Sequence, residues 1–287
     1  MADLHGAAGA EWLGRLPALI DELADRWALT VLPPFEPLSY NYVAPAVCAG
    51  GRPVVLKIGV VHPELLTEIE ALRLFDGRGA VRLLEADAGQ GALLLEHLVP
   101  GTPLAALADD ASATCLAAGV MRQLWRPVPA DHPFPTVERW ALGLQRLRAH
   151  FGGGCGPFPL SLVKRAESLF AELIASMGEP VLLHGDLHHH NILAASRQPW
   201  LALDPKGLVG EPEYETGALL RNPMPEFLTW PDLPRVTWRR AGVLAGELGF
   251  DRARLIAWAT AQAVLAGWWS YEDTGSGWQD WVACAQI

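Results

Sequence analysis

Residues 10–27 carry Leu13, Leu16, Ile20, Leu23 and Trp27 at steps of three and four, the spacing of one helical face. Pro33, Pro34 and Pro37 end any helix there and begin an extended stretch. Apolar and β-branched residues fill 39–48 and 53–60 on either side of Gly50-Gly51, which predicts a hairpin. Leu65, Leu66, Ile69, Leu72 and Phe75 share one face of a second helix that starts after Pro63. Val81–Glu85 and Ala92–Leu98 predict another hairpin, with Asp87–Gly91 as its loop.

After Pro100-Gly101 the period changes to that of helices. Val137, Trp140, Leu144, Leu147 and Phe151 form one stripe, and Leu169, Phe170, Leu173, Ile174 and Met177 another, separated at Gly152–Gly154. Short extended segments at Val181–His184, Ile192–Ala194 and Leu201–Asp204 interrupt this half, and from about residue 213 it is again mostly helical and rich in tryptophan. The pattern predicts an α+β chain of two lobes. A small N-terminal antiparallel sheet lobe with a leading helix spans residues 1–98, and a larger, mainly helical lobe spans 99–287. The length agrees, at about 100–200 residues per domain.

Composition narrows the class. Half the residues are hydrophobic (51%), enough for two cores. The formal charge of −10, from 32 acidic and 22 basic residues, argues against nucleic acid or an anionic membrane as partner, because both require basic patches. Cys48, Cys115, Cys155 and Cys284 show no CxxC spacing and read as reduced thiols of a cytoplasmic protein. The opening residues lack the basic and apolar regions of a signal peptide, and no run of about 18 apolar residues suggests a membrane span. The expected state is a monomer or weak dimer.

The densest chemistry lies in His184-Gly185-Asp186-Leu187-His188-His189-His190-Asn191, followed by Leu201-Ala202-Leu203-Asp204. Asp186, Asn191 and Asp204 sit at the ends of short apolar strands, five and thirteen residues apart, so a loop and a hairpin can bring them together. Phosphoryl transfer needs such a set: one carboxylate for the proton of the attacking hydroxyl, and an amide oxygen with a second carboxylate for magnesium. The histidines invite a second reading as a zinc or nickel site. Consecutive residues of an extended loop point to different sides, however, and no cysteine or HExxH pattern completes a tetrahedral set. His184 reads instead as a residue that orients the loop.

HGDxxxxN followed by an apolar strand and Asp204-Pro205 resembles the aminoglycoside phosphotransferase branch of the protein-kinase-like fold. Residues 203–212, Leu-Asp-Pro-Lys-Gly-Leu-Val-Gly-Glu-Pro, with Leu219-Leu220-Arg221-Asn222-Pro223, are similar to the streptomycin 6-kinase and hydroxyurea-resistance kinase family. The resemblance runs from about residue 35 to 270. It implies ATP and magnesium as cofactors, Asp186 as catalytic base, and Asn191 and Asp204 as metal ligands. It also implies a small-lobe cation for the α and β phosphates, and Lys57 is the only lysine before residue 164. Glu68 is its favoured partner and Glu70 the fallback. The linker Leu94–Gly101 resembles a hinge for adenine, through the Glu96 carbonyl and the Leu98 amide.

Two departures matter. The first hairpin has no GxGxxG, which leaves Ser39 and Asn41 as candidate phosphate donors, and there is no P-loop motif. An Ala-Pro-Glu activation segment is also missing, which argues against a protein substrate. For a small cationic acceptor such as streptomycin, Glu211, Glu215 and Glu272 are the selected acidic contacts, from a wider set with Glu213, Asp232 and Asp273. Glu215 has a second reading as a brace for the catalytic loop. Trp258, Trp268, Trp269, Trp278 and Trp281 read as core more than as a stacking platform. Three functions stay open: an antibiotic kinase, a kinase of the same chemistry acting on another hydroxylated metabolite or hydroxyurea, and a nucleotide- or metal-binding protein without turnover.

Overall fold

The computed structural model describes residues 2–37 and 40–287, without the side chains of residues 2–5 and 8. Ser39, one of the candidate phosphate donors, lies outside the described residues. The chain opens with α1 (Ala2–Arg26) and β1 (Leu29–Val31), then the hairpin β2 (Tyr42–Cys48) and β3 (Pro53–Ile58). Helix α2 (Pro63–Phe75) and the hairpin β4 (Leu83–Asp87) and β5 (Ala92–Glu96) complete an antiparallel sheet in the order β1-β2-β3-β5-β4. One face of the sheet packs on α1, where Leu19 and Leu23 meet Leu56, Ile58 and Ala92. Leu13, expected on that stripe, is exposed, and Trp12 packs there in its place beside the expected Leu16 and Ile20.

The alternation of β3 sets the direction of its lysine. Val54, Leu56 and Ile58 belong to the α1 side, so Val55 and Lys57 face the other way, toward α2. Because β3 pairs with both β2 and β5, Lys57 sits on a central strand and cannot escape sideways to water. On α2 the buried stripe is Leu65, Glu68, Ile69, Leu72 and Phe75. Glu68 is part of that stripe, while Glu70 points outward to Arg73.

The second half is mainly helical: α3 (Asp110–Leu124), α4 (Val137–His150), α5 (Leu160–Ala175), α6 (Pro212–Leu220), α7 (Leu233–Leu248), α8 (Arg252–Thr274) and α9 (Trp278–Ala285). Its strands divide differently from expectation. β7 (Val181–Leu183) pairs with β10 (Leu208–Gly210), and β8 (Ile192–Ala195) lies between β9 (Trp200–Ala202) and β6 (Pro100–Pro103). Pro100-Gly101-Thr102-Pro103 reads as a linker because proline suits only an edge strand, which is the place β6 takes. The loop between β7 and β8 is thus held between two small sheets, with β6 entering shortly after β5.

A buried arginine ties the helices. Arg240 of α7 is fully buried, bonds Asp110 at the start of α3 and the carbonyls of Leu219 and Asn222, and lies 5.0 Å from the ring centroids of both Phe227 and Trp230. Arg240→Met is expected to cost about 3 kcal/mol in urea unfolding, because it leaves Asp110 with Arg239 alone and strands two carbonyls in the interior.

Candidate active site

Lys57 is 3% exposed, and its Nζ lies 2.6 Å from Glu68 Oε1 and 3.0 Å from Asp204 Oδ1. Burial pulls the lysine down, but the carboxylates of Asp204 and Glu68 outweigh it and raise its pKa, so the cation persists at neutral pH. Burial lifts the Glu68 carboxyl, with Lys57 opposing. Burial also works against Asp204, yet Lys57 holds it below its ordinary range. Asp204 takes φ +59, a left-handed conformation that costs an ordinary residue about 1 kcal/mol or more and that aspartate tolerates better than most. That turn aims its carboxylate back at β3.

The loop between β7 and β8 carries Asp186 and Asn191. Its entry is held by Glu215 of α6, which accepts the main-chain N–H of His184 at 2.6 Å and of Gly185 at 3.0 Å. Burial pushes Glu215 up to about 7, and the two N–H donors oppose the rise. Gly185 has φ +86, and a Cβ there would stand 3.2 Å from Leu208, Lys206 and Trp140, so any other residue would be strained and would crowd its neighbours. The His184 ring faces the Leu203 carbonyl at 2.8 Å through Nε2, which must therefore carry the proton, and Nδ1 accepts the Asp186 N–H at 3.3 Å. Burial lowers its pKa to about 4, which keeps it neutral.

The Asn191 amide donates from Nδ2 to the Asp186 carbonyl at 3.0 Å. The main chain of Leu203 donates to the Asn191 carbonyl at 3.0 Å, so Asn191 stands beside the strand end that delivers Asp204. With its nitrogen turned to the loop, the amide oxygen of Asn191 remains for a ligand. One amide oxygen and one carboxylate are hard donors of the kind magnesium takes alongside phosphate and water. The histidines go to separate surroundings: His184 inward, His188 to within 3.8 Å of Asp186, and His189 into a buried position. Among the described residues no three His, Cys, Asp or Glu side chains assemble as a metal ligand set.

Asp186 opens into a cavity of about 690 Å³. Trp140 and Trp269, edge to face at 5.1 Å, wall it with Trp281. Four basic side chains line it (Arg139, Arg146, Lys206, Arg221) against three carboxylates (Glu64, Asp186, Asp273), so the lining is of mixed charge. Burial opposes the ionised form of Asp186, but His188, Lys206 and Arg221 hold its pKa below the ordinary value.

The sequence matches the family described as aminoglycoside/hydroxyurea antibiotic resistance kinase over residues 31–274. The chain belongs to that family. A streptomycin 6-kinase of Streptomyces glaucescens is 34% identical over 273 residues, covering 95% of this chain and 88% of that one. A hydroxyurea phosphotransferase of Kitasatospora aureofaciens is 36% identical over 271 residues, covering 93% and 77%. The fold is also that of a thermostable mutant of aminoglycoside phosphotransferase APH(4)-Ia in ternary complex with ADP and hygromycin B. That match has a TM-score of 0.64 at 13% identity, over 93% of this chain and 97% of the other. The chain is therefore a kinase of small molecules with the mixed α+β architecture expected.

Within this kinase the expected site residues separate into two groups. Lys57, Glu68, Asp186, Asn191 and Asp204 come together as described. Glu211 and Glu215 do not reach the cavity. Glu211 is 1% exposed and bonded to Arg254, Trp258 and the Gly178 N–H, and Glu215 braces the loop. Glu272 pairs with Arg146, which lines the cavity, but Glu272 itself does not line it. Asp273 is the carboxylate of that region that faces inward. Trp258 and Trp268 are core, whereas Trp269 and Trp281 are cavity wall.

The linker ends β5 at Glu96, whose side chain is gripped by Arg197 at 2.9 Å, and Leu98 is buried beyond it. Ser196 bonds the Val99 carbonyl at 2.9 Å, so the loop after β8 straps the linker from the helical side. Asn41 lies against Gly59, where a Cβ would come within 2.3 Å of its side-chain oxygen. Sequence reasoning missed Glu64, Lys206 and Arg221. The last two lie inside the motifs that carried the resemblance, and that position was the available signal.

Glu215→Ala removes the acceptor of two buried N–H groups. It is expected to cost about 2–4 kcal/mol in urea unfolding and to speed amide exchange at His184 and Gly185 before global unfolding.

Proposed function

We propose that this chain transfers the γ-phosphoryl group of ATP, with magnesium, to a hydroxyl of an aminoglycoside such as streptomycin. The observation that carries this reading is the continuous array from Lys57, Glu68 and Asp204 to Asn191 and Asp186, ending at the mouth of the 690 Å³ cavity. Lys57 provides fixed positive charge for the α and β phosphates, and Glu68 keeps it in place. Asn191 and Asp204 would hold magnesium through oxygen, where it would neutralise phosphate charge. Asp186 orients the acceptor hydroxyl and takes its proton as the oxygen–phosphorus bond forms. An ionised aspartate of low basicity suits that work, since the transition state is loose and positioning matters more than proton abstraction. The Glu96 carbonyl and the Leu98 amide face adenine from the linker. Residues 1–98 and 99–287 close as two lobes about that linker to exclude water.

The cavity's size favours an acceptor of aminocyclitol dimensions over hydroxyurea, since pockets of roughly 300–1,000 Å³ hold drug-sized ligands. Its mixed charge supports a second reading, a neutral polyhydroxylated metabolite, because four cations in the lining oppose a polycation. The protein acts as a cytoplasmic monomer or weak dimer.

A coupled ADP-release assay over aminoglycosides, sugars and hydroxyurea is expected to show acceptor-dependent turnover with streptomycin or a close relative. Asp186→Ala is expected to lower kcat about 10³-fold. Transfer that survives it undiminished refutes this mechanism. Lys57→Met is expected to raise KM for ATP at least tenfold while leaving the acceptor KM within threefold.

A further inference from the structure

Lys57 cannot serve the acceptor end of the reaction. It is 3% exposed and held on both sides by Glu68 and Asp204. The γ-phosphoryl, as it leaves the nucleotide, must be met by charge located nearer to Asp186. Lys206 has that position. It lines the cavity with Asp186, and it is close enough to Asp186, Asp204 and Lys57 to influence, or be influenced by, the charge of each.

Its backbone is unusually constrained for a lysine in a loop. The Lys206 N–H donates to the His184 carbonyl at 2.8 Å, and its own carbonyl accepts the Thr67 hydroxyl at 2.7 Å. Gly207 follows at φ +68, where a Cβ would stand 2.9 Å from Phe134 and 3.0 Å from the Thr67 carbonyl. Asp204 before it is also left-handed. Segment 204–207 therefore has one path, which presents the Asp204 side chain to Lys57 and the Lys206 side chain to the cavity. The ammonium is paired with Glu64 from the first turn of α2, and about a third of the side chain stays accessible.

We infer that Lys206 is a catalytic residue of the transfer step, donating hydrogen bonds from its ammonium to the non-bridging oxygens of the γ-phosphoryl in flight. Glu64 is the positioning residue that holds the ammonium in place beforehand. In the step itself the acceptor oxygen–phosphorus bond forms and the bond from phosphorus to the β,γ-bridging oxygen breaks. The electron pair leaves on ADP, and the hydroxyl proton goes to Asp186. Lys206 keeps its protons throughout and acts on the charge spread over the equatorial oxygens. The absence of a GxGxxG motif over the phosphates gives such a cation more to do.

This inference rests on the phosphotransfer reading above. Its test compares wild type with K206M and K206Q in steady-state kinetics and in binding of ADP with and without aluminium fluoride, a mimic of the planar phosphoryl. Both variants are expected to lose about 10²–10³-fold in kcat. Acceptor KM and ADP affinity should stay within threefold, which also reports that the variants are folded. Aluminium fluoride should tighten ADP binding in wild type and not in the variants. A kcat within threefold of wild type, a loss confined to acceptor KM, or equal tightening by aluminium fluoride overturns the assignment. Wild-type protein that releases no ADP with any acceptor overturns the phosphotransfer reading and this inference together. Wild-type turnover matched by K206M overturns this inference alone.

Discussion

A lysine in the middle of a sheet organises this protein. Lys57 lies on a central strand with its side chain on the face opposite α1, and an unpaired ammonium there would cost several kcal/mol. Two carboxylates satisfy it, and they come from opposite halves of the chain: Glu68 from α2 and Asp204 from the turn after β9. Helix α2 must therefore present Glu68 from within an otherwise apolar stripe. The residue after Leu203 must in turn accept a left-handed backbone so that its carboxylate points toward the sheet. The charge pair thus fixes the distance between Lys57 and Asp204, the cation proposed for the nucleotide and the carboxylate proposed for the metal.

The loop that carries Asp186 is held by a different kind of restraint. Its backbone is bound at both ends: Glu215 takes the N–H groups of His184 and Gly185, and Asn191 is joined to Leu203 and to the Asp186 carbonyl. His184 adds a neutral ring that links Leu203 to Asp186. Such restraints locate the Asp186 side chain without touching it, and they leave its carboxylate free to face the cavity. The histidine run therefore includes one ring with a plain structural duty, one beside Asp186, and one buried apart from both.

The meeting of Asp186, Asn191 and Asp204, the array proposed for catalysis, was largely legible in the sequence, because short loops and hairpins bring these residues together through local chain geometry. Lys57 was legible as well, since it is a lone charge in an apolar strand. Its partner was ambiguous between Glu68 and Glu70 until the packing of α2 showed which lies on the buried stripe. The acceptor side was read poorly. Glu211 looked like an available carboxylate, yet it is buried against Arg254 and Trp258, whereas Glu64 and Lys206 line the cavity from elements 142 residues apart. Strands β1, β6 and β10 were missed: β6 begins and ends in proline and reads as a linker, and β10 offers only Leu208 and Val209 between glycines.

The sequence by itself determined the kinase family and the broad division into a sheet-rich and a helical half. The family is carried by the motifs at residues 184–191, 203–212 and 219–223, and the division follows from short-range order, the period of apolar residues and the turns. The tertiary structure alone decided which charges meet. Ion pairs such as Lys57 with Asp204 join residues 147 positions apart, and no local pattern encodes which carboxylates will face solvent, arginine or the cavity. Acceptor recognition depends on that choice. The mixed charge around Asp186 therefore emerges only when α2, α4, α6 and α8 converge on one space.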